Sequence, residues 1–286
     1  MNNVYYNFVI VGCGGTGGNF AGKLAQFIST AGTCCSICLV DGDLVEESNI
    51  SRQPFCYSDL MCNKAAALSE AIADVYGIEP FVYPHYLDCN QDLDKVFNLL
   101  PKGTVYHDDN RLNIVNVLVG CCDNHRCRQI MERWFKKQQN AIYLDSANEF
   151  SVGEVVIGIK ANEKTAAPSR AYYYPEIMKS RVKRKSEESC GAVNLSSPQH
   201  LATNMTAACI LLSLVSNMVQ GNDLLHSNLV NFISCFQFLS FFQNIFDILI
   251  SCFFRHLNRK LYAFTLCLSG IQAGFVLFID FMKFFF

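Results

Sequence analysis

Gly12, Gly14 and Gly17 stand at G-x-G-x-x-G spacing within YNFVIVGCGGTGG, residues 6–18. Glycine has no Cβ, so a phosphate can come close to the backbone N–H groups that such a loop presents at a helix N-terminus. Asp41 closes a second apolar run, where a carboxylate that grips a ribose belongs. A hydride-transferring enzyme needs only these features. This chain adds Asp43, Asn49, Arg52 and Gln53 in one polar stretch, then Lys64, then Asp123-Asn124. An Arg and a Lys converging on a phosphate loop suit a triphosphate, whose transferring and leaving groups they neutralise. A nearby aspartate suits Mg²⁺, an ion of oxygen ligands and phosphates.

Each residue also has a plainer reading. The glycines make a tight turn, Asp41 caps the loop after its strand, Arg52 forms a surface ion pair, and Asp123 faces a helix dipole. Lys64 opens a helix, where a cation opposes the dipole, and that mild cost favours a functional role.

The elements that must position these residues alternate. Val9–Val11 reads as a strand and Asn19–Ser29 as a helix. Ile37–Asp41 is the second strand, followed by a polar loop over Gly42–Phe55. Asn63–Tyr76 is a helix with Ala65, Leu68, Ile72 and Val75 on one face. Pro80–Leu87 reads as a third strand, and Asp92–Leu100 as a short helix stopped by Pro101. Ile114–Cys121 is an apolar strand, and Asn124 is placed to cap a helix over Arg126–Lys137. Ala141–Leu144 runs to Asp145, and Gly153–Ile159 suits an antiparallel neighbour. Pro198–Gln220 is a helix with Gly221 as its stop, and Leu229–Ile233 is a last strand. The expected fold is α/β: a Rossmann-like, mostly parallel sheet with helices on both faces, followed by an aberrant hydrophobic C-terminal tail.

Of 286 residues, 23 are Lys or Arg and 25 are Asp or Glu, so no global basic field suggests nucleic acid. The 15 Cys fall largely in apolar runs, as at Cys38, Cys121 and Cys209, where they read as small buried hydrophobes. A reduced, cytoplasmic setting is expected. Cys35 and Cys38 form a C-x-x-C, but on a strand that points them apart, and no partner pair follows at zinc spacing; no structural zinc is expected. Residues 162–200 read as an exposed crossover excursion, with Pro168, Pro175, Tyr172–Tyr174 and the basic run Lys179–Lys185, either a solvated loop or a contact for an acidic partner.

From Phe232 the composition changes, and most of the 23 Phe lie beyond it. The division expected is a nucleotide-binding domain over 1–234 and a Phe-rich tail over 235–286. Leu261–Ile279 is 19 residues without a charged side chain, near the ~20 of a membrane span, with Arg255, Arg259 and Lys260 as a positive flank. Three readings stand for the tail: a membrane anchor or hairpin, the product of a reading-frame shift near Ser234 in an A/T-rich gene, or a packed helical hairpin.

GCGGTGG, LVDGDLVEESNISRQ, NKA and GCCDN together resemble the ThiF/MoeB superfamily, adenylating enzymes related to ubiquitin-activating enzymes. The resemblance covers roughly residues 6–160. YLDSANEFSVGEVVIG and SCGAVNLSSPQHLATNMTAA are most similar to the ThiF-like proteins of PRTRC gene clusters. The resemblance implies that Gly12, Gly14, Gly15 and Gly17 hold the phosphates of ATP and that Asp41 binds its ribose. It implies that Asn49, Arg52 and Lys64 contact the phosphates and the reacting centre, with Asp43 and Gln53 in the same nucleotide-binding set, and that Asp123 holds Mg²⁺. The implied reaction is attack by the C-terminal carboxylate of a ubiquitin-like or sulfur-carrier protein on the α-phosphorus of ATP. The residues agree: a carboxylate is already ionised at pH 7, so placement and positive charge matter more than a general base.

The chain departs from the pattern in three places. MNNVYYN lacks the Arg that many relatives place before their first strand, often across a homodimer. The zinc-binding Cys pairs of many relatives are missing, and the Arg52-to-Lys64 spacing is one residue short. In some relatives a crossover Cys accepts the acyl group or its sulfur. Cys190 is the candidate here; Lys183–Lys185 favour its thiolate, Glu187 and Glu188 oppose it, and a structural Cys is the other reading. The functional alternatives are a catalytically degenerate nucleotide-binding scaffold and an NAD(P)-dependent oxidoreductase. The second leaves Asn49–Gln53 and Lys64 without a role.

Overall fold

The structure is a computed structural model that describes residues 4–107, 110–149, 152–181, 201–221 and 229–233, the last by backbone alone. These residues belong to one compact unit, Met1–Cys235. Lys183–Lys185, Cys190 and the tail over 235–286 lie outside the described residues.

In chain order the elements begin with β1 (Val4–Val11), α1 (Gly15–Ala31), β2 (Cys35–Val40), α2 (Glu47–Ile50), α3 (Lys64–Tyr76), β3 (Phe81–Tyr83) and α4 (Asn90–Asn98). Then come β4 (Val105–His107), β5 (Asn110–Gly120), α5 (His125–Lys137), β6 (Ala141–Asn148), β7 (Val152–Ala161), β8 (Lys164–Ala167), α6 (Arg170–Tyr173), α7 (Leu201–Val219) and β9 (Leu229–Ile233). Strands β3, β2, β1, β5 and β6 lie side by side in that order, all parallel. β7 then runs antiparallel to β6. Its outer edge is shared: β8 pairs with Ile159–Ala161 and β9 with Val152–Val156.

The central strand explains the layering. Parallel strands covered on both faces read as unbroken apolar runs, and Phe8–Val11 is buried throughout. Phe8 and Ile10 join the core under α1, α3 and α7, with Phe20, Leu24, Leu68 and Leu211. Val9 and Val11 point the other way, toward α4 and α5, where the rings of Phe97 and Trp134 stack 4.4 Å apart. The same alternation separates the C-x-x-C cysteines: Cys35 packs against the first core and Cys38 lies in the second.

Where the elements differ from expectation, the causes are local. α1 starts at Gly15, so its first turn already contains the last glycine of the motif. β3 is shorter than Pro80–Leu87 because Pro84 has no N–H to continue the ladder. The Gly42–Phe55 loop contains α2. Much of the expected excursion over 162–200 is built into the body where it is described: β8 pairs with β7, and Arg170, Ala171 and Ile177 are buried. Asn124 caps α5 by accepting from the Cys127 N–H, and Gly221, at φ +76°, ends the α7 region.

The chain leaves β1 toward β2 and β3, then crosses to β5 on the other side of β1. The carboxyl ends of β1 and β5 therefore flank a topological switch point, the place where open α/β sheets bind ligands.

Candidate functional site

A cavity of about 120 Å³ opens at that switch point, and Gly12, Asp41, Asp43, Tyr86, Cys122 and Asp123 contribute to its wall. Its floor is tight. The Gly12 N–H donates to the Val40 carbonyl at 2.8 Å, and the Cys121 N–H donates to the Val11 carbonyl at 2.8 Å. Gly12 has φ +94°, and a Cβ there would sit 2.8 Å from the Cys121 carbonyl oxygen. A Cβ on Gly17 would run into the Gly12 carbonyl. These two glycines therefore let the loop and helix close on each other. Gly14 differs: its nearest outside neighbour would be the Gln53 amide, 3.7 Å from a Cβ. It is the N-cap of α1, which has neither a side-chain cap nor an acidic residue in its first turn. The first turn of this 17-residue helix thus supplies no anion to its own positive end, and the Asp41 carboxylate bonds one residue before the cap, at the Cys13 N–H.

Asp41 joins the glycine loop to the loop after β2. One carboxylate oxygen accepts the Cys13 N–H at 2.6 Å and the other the Asp43 N–H at 2.9 Å. Burial, and then the charge of Asp43, push its pKa up; the two N–H bonds and Lys64 pull back without cancelling the rise. Asp41 thus caps its loop and lines the cavity at once. Asp43 accepts from Lys64 Nζ at 3.1 Å and from the Tyr86 hydroxyl. The Tyr86 ring lies against Gly42, where a Cβ would come within 2.7 Å of it. Lys64 is buried at the start of α3, its N–H donating to the Asp43 carbonyl at 3.0 Å. Asn63, the cap of α3, donates to the Asp41 carbonyl at 2.9 Å and the Asp43 carbonyl at 3.2 Å.

The stretch from Asn49 to Gln53 lies beside the cavity, over the start of α1. Asn49 is buried in the capping box of α2, its Oδ1 accepting the Glu46 N–H at 3.1 Å. Arg52 is half-buried, its Nε donating to the Ser48 carbonyl at 3.4 Å, and its own carbonyl lies 3.3 Å from a Cβ built on Gly15. The Gln53 Oε1 is buried beside Gly14 and has no hydrogen-bond partner among the described residues. The site therefore has two adjoining parts. Gly12, Asp41, Asp43 and Asp123 surround the cavity, with Lys64 attached through Asp43. Gly14, Gly15, Asn49, Arg52 and Gln53 form a shelf at the α1 N-terminus. Asp123 is exposed on the cavity rim, and Cys190 lies outside the described residues.

Sequence reasoning missed several residues here. Asn204 of α7 is fully buried; its Oδ1 accepts from Asn148 Nδ2 at 2.8 Å, and its Nδ2 rests against Gly15. Thr16 donates to Asn148 Oδ1 at 3.3 Å. Arg128, Asp145 and Arg170 form a buried ionic chain behind the Cys122–Asp123 loop. Two had a local signal: Tyr86 lies within Pro80–Leu87, read as a strand that in fact ends at Tyr83, and Asp145 closes the run Ala141–Leu144.

A ThiF family model matches residues 5–245. Among solved structures, PaaA in its selenomethionine form is similar at TM-score 0.53 and 17% identity, over 77% of this chain and 57% of that one. E. coli MccB with ATP is similar at 0.52 and 18%, over 80% and 60%. The microcin C7 biosynthetic enzyme MccB, in complex with N-formylated MccA, is similar at 0.54 and 18%, over 80% and 61%. At these identities the likeness is one of fold, and the chain spans about 60% of the length of those proteins. A comparison with curated protein sequences finds no match.

Proposed function

The chain belongs to the ThiF family, and we propose that it uses ATP to adenylate the C-terminal carboxylate of a small ubiquitin-like or sulfur-carrier protein. The observation that carries this reading is one cavity at the β1–β5 switch point, walled by Gly12, Asp41, Asp43 and Asp123, beside an uncapped helix N-terminus. MccB, which shares the fold, has been solved with ATP and with MccA, which supports a nucleotide and a peptide as the two substrates.

At about 120 Å³ the cavity is small beside the ~300–1,000 Å³ of a complete small-molecule site, so it takes one part of the nucleotide. The remainder lies along the shelf. The α1 N–H groups and Arg52 take phosphate oxygens, and Asp41 accepts from ribose hydroxyls. The partner's carboxylate oxygen bonds to the α-phosphorus, the bond from that phosphorus to the bridging oxygen breaks, and pyrophosphate leaves. No proton need move, so His85, which also lines the cavity, is not required as a base. Among the described residues no three His, Cys, Asp or Glu gather as a metal cage. Mg²⁺ commonly uses one or two carboxylates plus substrate phosphates, and Asp123 on the rim suits that mode. When bound, the ion neutralises phosphate charge.

The test is ATP–pyrophosphate exchange by the full chain with Mg²⁺, supplied with Gly-Gly-ended peptides and candidate small proteins. Exchange that needs the free carboxylate and falls about 10²-fold or more in Asp123→Ala is the expected result. ATP binding without exchange for any candidate favours the scaffold reading. A folded protein that binds no ATP overturns both.

A further inference from the structure

Behind the cavity, the charges of α5, β6, β7 and α6 are joined in one chain. Arg128 Nε lies 3.3 Å from Asp145 Oδ1, and Arg170 Nε lies 2.7 Å from Asp145 Oδ2. Arg170 also pairs with Glu154, which accepts from the Tyr174 hydroxyl at 2.6 Å. Two positive and two negative groups balance. The side chains of Arg128, Asp145 and Arg170 are 8%, 1% and 4% exposed, so this is no solvent-screened surface pair.

The far end of the Arg128 fork reaches the loop after β5 as well as the core strand β6. Its Nη2 donates to the Cys122 carbonyl at 2.7 Å and to the Ser146 carbonyl at 3.1 Å. Cys122 immediately precedes Asp123. On the other side, Asn124 is fixed by its cap bond from the Cys127 N–H at 2.8 Å. Asp123 therefore sits between two bonded neighbours, and one of the bonds on Cys122 comes from Arg128, which Asp145 holds.

We infer that Arg128 is a positioning residue for Asp123, with Asp145 and Arg170 holding it in register. This rests on the proposed adenylation, in which Asp123 holds Mg²⁺ against ATP. A lysine keeps the charge but cannot span the Cys122 carbonyl and the Asp145 carboxylate with one planar fork.

The experiment compares the full-length wild type with Arg128→Lys and Asp145→Asn by two measurements. Amide hydrogen exchange across residues 121–125 reads the loop without any turnover. The Mg²⁺ concentration for half-maximal pyrophosphate exchange reads the ligand. Expected are about tenfold faster amide exchange in this loop with β1 unchanged, and a 10–100-fold rise in half-saturating Mg²⁺ with the maximal rate less affected, as outer-sphere partners typically give. Unchanged loop protection and Mg²⁺ dependence in a folded variant overturn the inference. So does loss of folding in both variants, which makes the chain of charges purely structural. A wild type without pyrophosphate exchange refutes the adenylation reading, while the amide pattern still decides whether Arg128 pins the loop.

Discussion

Lys64 Nζ and Asp43 Oδ2 are 3.1 Å apart, but water reaches them unequally: the lysine side chain is 9% exposed and the aspartate 44%. Asp43 lines the cavity and Lys64 backs it, so the pair tests the energetics of the site. Asp43→Asn strands a buried ammonium, whereas Lys64→Met leaves a carboxylate that water can solvate. We expect a loss of roughly 2–3 kcal/mol for the first and about 1 kcal/mol or less for the second, short of a fully buried pair. Urea unfolding at pH 7 measures both, and equal losses would contradict the asymmetry.

The glycines of the loop should separate by role. Gly17→Ala forces a methyl into the Gly12 carbonyl and should cost about 1–3 kcal/mol, seen as a lower thermal midpoint. Gly14→Ala meets only the Gln53 amide and should cost less than about 1 kcal/mol while weakening ATP binding, read by calorimetry. Similar stabilities for the two variants would refute the division between packing and phosphate access.

Asp92 supplies a pH test away from the site. Burial raises its pKa, but Lys95 and the N–H groups of Asp88 and Cys89 outweigh that and hold it well below the usual carboxylate range. A carboxylate depressed in the folded state contributes stability above its unfolded pKa, near ~3.9, and loses it as pH falls through the folded value. Asp92→Asn should therefore cost about 1 kcal/mol at pH 7, as for a lost helix cap, and the gap from wild type should close in strong acid. Thermal unfolding at pH 7 and in acid measures it; a gap that widens in acid would reverse the sign.

A chain ended after Ser234 should keep the fold and its nucleotide affinity. The described elements close with β9 at Ile233, before the Phe-rich composition takes over. Circular dichroism and ATP titration of the two lengths check this, and a shortened chain that fails to fold would show the tail to be part of the domain.

What can be read from the sequence is what neighbours in the chain decide. The run Val9–Val11 and the glycines after it name a strand and a helix start, Asn124 names a cap, and Gly221 a stop. Asp41, Asp43 and Asp123 follow because strand ends on one side of a parallel sheet share a crevice. The rest depends on pairs far apart in sequence. Nothing near Arg170 says that it will be buried against Asp145 and Glu154 rather than solvated in a loop. Nothing near Asn204 says that it will lie against Gly15. Lys64 reads in the sequence as a candidate phosphate contact, but its pairing with Asp43 is set only where α3 meets the loop after β2.

The divided outer edge of β7 bears on how the chain is made. β8 follows β7 within a few residues and covers the strand's far half almost as soon as it is synthesised. The near half, Val152–Val156, waits for Leu229–Ile233, which leaves the ribosome only after all of α7. Through that interval a growing chain carries a row of unpaired backbone groups on a strand with Val155, Val156 and Ile157 at its centre, an invitation to other nascent chains. The hazard belongs to translation rather than to the finished fold, and slow elongation through α7 would lengthen it.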